Sequence, residues 1–178
     1  MGKKTDNHYL ADKVELRCRF MPENCKVLDV FGGHGKVWKA VEFKSQKKIM
    51  RVAIDRRDDL KTFHLHGDVS KVLPSVDLTA FNAIDVDAYG IPYDPLKEIF
   101  DSEWKGRVFV TAIQTMYGRL PNGLLYEIGF SPDMIKKAPS LMGKRGFEYF
   151  LEWLAIRGVR EIHHRSKARK HYLTFLIE

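Results

Sequence analysis

Cysteine is scarce: the chain has two, Cys18 and Cys25, in 178 residues. Two thiols build neither a disulfide framework nor a thiolate zinc site. Free buried thiols of a protein in a reducing cytoplasm are the expected reading. Long apolar runs are missing. None approaches the roughly 18 residues of a membrane-spanning helix, so no membrane partner is expected. The opening MGKKTDNHYL has lysines without the apolar stretch of a secretory signal. Repeats, low-complexity tracts and Ser/Gly/Pro-rich linkers are absent too, which leaves one domain over residues 1–178. His64 and His66 stand two apart with no third ligand, so no metal site is expected. Acids are outnumbered, 23 against 30 Lys and Arg, for a net charge of +7. That excess favours an anionic partner, nucleic acid first, because phosphates release counterions when lysines neutralise them.

What is present is an order of elements. Leu10, Val14, Cys18 and Met21 are spaced for one face of a helix over 8–20. A buried strand is predicted at 26–31, then a glycine turn and a helix holding Val37, Ala40 and Val41. Strands follow at 49–54, ending at Asp55, and weakly at 62–66, ending at Gly67-Asp68, with a short polar helix at 57–61 between them. A short helix or turn at 69–76 leads to a strand at 81–86, a helix at 94–104 and a strand at 107–113. Glycines and prolines break 114–142 into irregular chain. Phe147, Phe150, Leu151 and Leu154 then mark an amphipathic helix closed by Gly158, before strands at 160–164 and 172–177 joined by the polar turn 166–170. Alternating strands and helices imply a mostly parallel α/β sheet with helices on both faces, and the last two strands an antiparallel hairpin at one edge, seven strands in all.

The stretch 27–36 reads VLDVFGGHGK: a strand carries a carboxylate into a tight glycine turn. Open α/β sheets bind ligands beyond the carboxyl ends of their strands. Acids gather there, with Asp29, Asp55, Asp68, Asp85 and Asp87 at four successive strands. Asp68 also fits a helix N-cap. A dinucleotide would require G-x-G-x-x-G, but Trp38 stands at the third glycine, and Asp29 would repel a pyrophosphate. A ligand with an amino group and a positive centre suits that carboxylate.

VLDVFGGHG resembles motif I of the class I S-adenosylmethionine-dependent methyltransferases, in the DLFAGSG form common among nucleic-acid methylating enzymes. Asp29, Phe31, Gly33 and Gly35 match; Gly32 replaces the alanine and His34 the serine. The resemblance implies a Rossmann-like methyltransferase sheet and S-adenosyl-L-methionine as cofactor. It implies that Asp29, with the backbone of Gly32, Gly33 and Gly35, holds the amino-acid end. Asp55 would accept from the ribose hydroxyls, and Asp68 and the Val69 N–H would meet the adenine, with Arg56 beside it.

Residues 85–92, DVDAYGIP, resemble the DLDPFGSP segment of tRNA guanine-N2 dimethyltransferases. Asp85, Asp87, Tyr89, Gly90 and Pro92 match, and Ala88 replaces the first proline. The resemblance implies that Asp87 accepts hydrogens of an exocyclic amine, that Tyr89 stacks on the base, and that Asp85 belongs to the cofactor side. RNA, tRNA or rRNA, is the expected substrate. DNA adenine-N6 or protein methylation remains open, as does an inactive module that binds cofactor and RNA, the reading Ala88 favours. The basic run of Arg165, Lys167, Arg169 and Lys170, with Lys144 and Arg145 beside Lys136 and Lys137, is expected to grip phosphates, which positions a nucleic acid without reading it. With no separate recognition domain, target choice is expected to rest on loops, this hairpin, a second copy or a partner subunit.

Overall fold

A computed structural model of the chain describes residues 9–60, 64–113, 120–137 and 145–178. Among the described residues seven strands form one sheet in the order β3-β2-β1-β4-β5-β7-β6. They are β1 (Lys26–Val30), β2 (Met50–Asp55), β3 (His64–His66), β4 (Ala83–Asp87), β5 (Gly106–Ile113), β6 (Arg160–Lys167) and β7 (Lys170–Ile177). The first five pair in parallel, while β7 runs antiparallel to both β5 and β6. Among the described residues the α-helices are α1 (Leu10–Phe20), α2 (Lys36–Ser45), α3 (Val69–Val72), α4 (Tyr93–Asp101), α5 (Asn122–Glu127), α6 (Pro132–Lys137) and α7 (Gly146–Ile156). Among the described residues no helix is long and apolar enough to cross a membrane.

The two faces of the sheet have different partners. Leu28, Val30, Ile84, Val86, Val108 and Val110 pack with Leu96, Ile99, Phe150 and Trp153 into the larger core. The residues between them in sequence point the other way, because strand side chains alternate. Val27, Ala83 and Phe109 meet Val14, Met21, Trp38 and Val41 of α1, α2 and the chain after α1. By the same parity Asp29, Asp85 and Asp87 belong to the face that α1 and α2 cover. The buried acids therefore lie beneath two helices.

Four local expectations are corrected. Residues 57–60 form turns, not a helix; residue 61 lies outside the described residues. Within 114–142 the structure builds two short helices, α5 and α6, because Leu124, Leu125 and Ile135 find buried positions. The hairpin turn is only Ala168-Arg169, since the strands run through Lys167 and from Lys170. A two-residue hairpin needs positive φ, and Ala168 supplies it at +54°. Finally, α1 buries Lys13 and Arg17 beside Val14 and Leu16, while Leu10 and Cys18 stay half-buried.

Candidate functional site

The chain builds β1, β2 and β3 outward on one side and then returns to place β4 on the other side of β1. A crevice opens where the strand order reverses, beyond the carboxyl ends of β1 and β4. It holds about 470 Å³ of empty space, its open mouth included, and is lined by Asp29, Asp85 and Asp87, the loop 31–37 and Arg57.

The loop turns sharply. Phe31, half-exposed, takes φ +64°, and its N–H and that of Gly32 both donate to the Ile54 carbonyl, at 3.0 and 3.3 Å. Gly33 and Gly35 have φ +48° and +67°, and Gly35 caps α2. Arg51, on β2, reaches under this turn. Its Nε donates to Asp29 Oδ2 at 2.6 Å and its Nη2 to the Gly32 carbonyl at 2.9 Å. A Cβ on Gly32 would stand 2.5 Å from Arg51 Nη2, and one on Gly35 2.7 Å from Nη1. Those two glycines thus make room for an arginine of the chain itself, whereas the sequence suggested room for a ligand. Gly33 differs: the nearest atom to its Cβ position is Arg57 Nη2 at 3.2 Å.

Each acid lining the crevice, and Asp55 beside it, has a cation. Arg17 forks onto Asp85 with Nε to Oδ2 at 2.7 Å and Nη2 to Oδ1 at 2.6 Å, and Trp38 Nε1 donates to Oδ2 at 2.8 Å. Lys13 donates to both oxygens of Asp87, at 2.6 and 2.8 Å. Asp55 accepts the backbone N–H of Gly33 at 2.9 Å and of Arg57 at 3.0 Å, with Arg57 Nε 3.6 Å away. The row of acids is therefore neutralised from within. Burial, helped by the Asp85 charge and opposed by Arg51, pushes Asp29 up to about 7. Burial works on Asp87 in the same direction, but Lys13 and Arg17 outweigh it and hold that carboxyl below its ordinary value.

Lys13, Arg17, Arg51 and Arg57 did not stand out in the sequence. One signal was legible. Lys13 and Arg17 are four apart on a helix, about 6 Å along its axis, and Asp85 and Asp87 are two apart on a strand, about 6.6 Å. The two spacings match, so one helix face can serve both acids.

The remaining expected residues are dispersed. Asp68 is exposed and caps α3, accepting from the Ser70 N–H at 2.9 Å and its hydroxyl at 2.8 Å. Val69 is buried against the larger core. Arg56 is exposed, outside the crevice lining. Tyr89 is 73% exposed just beyond β4, so it is not a core aromatic, while Ala88 is buried. On the hairpin, Arg165 pairs with Glu15 through two bonds of 2.8 Å and Lys167 with Asp12 at 2.8 Å. Lys170 lies over the Tyr9 ring, and Arg169 is exposed at the turn. Arg145 pairs with Glu148, Lys136 and Lys137 are exposed, and Lys144 lies outside the described residues.

No family model matches the chain, and no curated protein matches it. Solved structures do share its fold. A possible exported protein from Bordetella parapertussis superposes with a TM-score of 0.60 at 11% identity, over 94% of this chain and 66% of that one. A candidate rRNA methylase from Clostridium thermocellum gives 0.54 at 11% identity, over 98% of both chains. A SAM dependent methyltransferase from Archaeoglobus fulgidus gives 0.50 at 11%, over 93% of both. At such identities the likeness is one of fold, and the fold is that of the Rossmann-like methyltransferases.

Proposed function

We propose that this chain is an S-adenosyl-L-methionine-dependent methyltransferase acting on nucleic acid, at an exocyclic base nitrogen of RNA. The observation that carries the reading is the position of the crevice: the loop 31–37 and Asp87 meet at the reversal point of the sheet. The residues present fit the cofactor at its ribose end. Each Asp55 oxygen accepts one backbone N–H and keeps lone-pair capacity for a hydroxyl. Beside it, Arg57 Nε and Nη2 are buried without a hydrogen-bond partner, and they are donors suited to a ribose oxygen or an α-carboxylate. The resemblance gives the adenine to Asp68 and the Val69 N–H, with Arg56, which lie outside the crevice lining. Asp29, Phe31, Gly32, Gly33, Gly35 and Asp85 shape the rest of the cofactor side, where Arg51 and Arg17 set the charge.

Bound there, the cofactor supplies an electrophilic methyl group. The chain supplies orientation. Asp87 stays ionised under the charges of Lys13 and Arg17, with a quarter of its side chain open to solvent. It accepts hydrogens of the target amine and so aims the nitrogen lone pair. Tyr89, exposed two residues on, supports the base by stacking. Most of the rate gain comes from holding the two centres together, and a base within a duplex must first be flipped out.

One observation favours a second reading, a module that binds cofactor and RNA without transferring a methyl group. Both Asp87 oxygens are already engaged by Lys13, and Ala88 stands where the resembling segment has proline. Two measurements separate the readings. Calorimetry with S-adenosyl-L-methionine against NADH tests the cofactor, and tritiated methyl transfer to tRNA, rRNA, DNA and protein tests the reaction. Asp55→Ala is expected to weaken cofactor binding, and Asp87→Ala to spare it while abolishing transfer. Uptake of NADH alone would overturn both readings, and binding without transfer to any acceptor would leave the module.

A further inference from the structure

On the hairpin expected to grip phosphates, Arg165 and Lys167 are paired with Glu15 and Asp12 of α1, while Arg169 is exposed at the turn. The net charge of +7 has other carriers as well. Helix α2 presents part of it. Trp38 and Val41 point into the core, and at 100° per residue Lys36, Lys39 and Phe43 fall on the opposite side. All three are exposed, Phe43 to 79%. Lys47 and Lys48, also exposed, follow directly after the helix. Among the described residues no acid pairs with Lys36, Lys39, Lys47 or Lys48. One exposed aromatic is ordinary on a protein surface. Its setting among unneutralised lysines gives it a direction.

We infer that this face of α2, with the loop behind it, holds a single-stranded segment of RNA, the lysines on successive phosphates and Phe43 beneath a base. The inference rests on the nucleic-acid reading above and adds the binding surface. The face starts at the crevice, because Lys36 lines it, and Phe43 lies about 10 Å further along the helix. A strand whose target base enters the crevice therefore leaves along α2. Stacking on Phe43 requires an unpaired base, which RNA loops and ends offer.

The test is fluorescence anisotropy with a labelled, unstructured RNA oligonucleotide over a range of salt, beside calorimetry with S-adenosyl-L-methionine on the same proteins. The Lys39→Gln/Lys47→Gln/Lys48→Gln variant is expected to bind RNA about tenfold more weakly. Its salt slope should fall by about 2, because three phosphates are no longer neutralised. Phe43→Ala is expected to lose about fivefold or more with the slope unchanged. Arg165→Gln/Lys167→Gln should bind RNA like the parent, and all variants should keep cofactor binding. The inference is overturned if the α2 variants bind RNA like the parent, if the hairpin variant carries the loss, or if phosphatidylserine vesicles bind and RNA does not. RNA held through α2 by a protein that takes up no methyl donor would keep this inference and remove the methyltransferase reading. Cofactor uptake with no RNA binding would do the reverse.

Discussion

Asp29 and Asp85 stand side by side in the register of β1 and β4, both buried, and each holds its own arginine, Arg51 and Arg17. Two neighbouring carboxylates in a dry place repel each other, and the coupling is visible in Asp29, whose proton is held up to about pH 7 by burial and by Asp85. The protein thus has a titrating acid at the base of its crevice.

The Arg17–Asp85 pair is fully buried, at 0% and 1% side-chain exposure. Removing one partner of such a pair leaves an uncompensated charge, at a cost of about 3–5 kcal/mol. Arg17→Met is expected to lower stability by that amount in urea unfolding, and far more than Arg165→Met, whose pair with Glu15 is exposed. Equal effects would contradict the burial of the Arg17–Asp85 pair.

Asp29 gives stability a fall on the alkaline side. Its pKa is raised in the fold, so the folded protein holds a proton that the unfolded chain releases near pH 4. The resulting contribution is complete below that point and is lost as pH rises through about 7. Comparing pH 6 with pH 8, Asp29→Asn should gain about 1 kcal/mol relative to the parent. Thermal melts of both proteins across that interval measure it.

His171 acts on the acid side. It is stacked on Phe147 with centroids 3.7 Å apart, and burial, then the charge of His164, lowers it to about 4. Its neutral form is favoured in the fold, so stability is complete above about pH 6.5 and declines as pH falls toward 4. The full loss is on the order of 3 kcal/mol. His171→Phe keeps the ring contact and should flatten that acid slope in melts between pH 7 and 4.

The glycines of the turn should separate by function. A Cβ on Gly32 collides with Arg51 and with Asp29 Oδ2, at 2.5 and 2.7 Å, so Gly32→Ala is expected to displace the Arg51–Asp29 pair and cost about 1–3 kcal/mol. Gly33→Ala meets Arg57 Nη2 as its nearest neighbour, at 3.2 Å, although its positive φ adds strain. Its larger effect is expected on cofactor affinity, read by calorimetry.

Lys13 is a positioning residue in the proposed reaction. Without its charge, burial of Asp87 is less well opposed and the Asp87 pKa rises. Lys13→Met should shift the acid limb of the methyl-transfer pH profile upward, while affinity for the methyl donor at pH 8 stays unchanged. An unshifted limb would remove Asp87 as the ionised acceptor.

Much of the architecture was legible in the residues. Four short runs with an acid in or just after them, each followed by a turn, are sufficient to place parallel strands with their carboxyl ends on one rim, and the turn at 31–35 marked the crevice. The cap at Asp68 was legible too, as one of two readings of an acid standing before Val69. The irregular reading of the chain around Leu124 and Ile135 failed because those helices are too short to show a period and exist only through the apolar positions they fill.

Local sequence therefore determined where Asp29, Asp85 and Asp87 would lie, because strand alternation and glycine turns act over a few residues. Only the tertiary structure decided what neutralises them. Arg17 and Asp85 are 68 residues apart and Lys13 and Asp87 74. A buried carboxylate requires a cation because leaving water is costly, but which cation comes within reach depends on which helix covers which face of the sheet. The packing of α1 and α2 over the acidic face made that choice, and it left the lysines of α2 facing solvent.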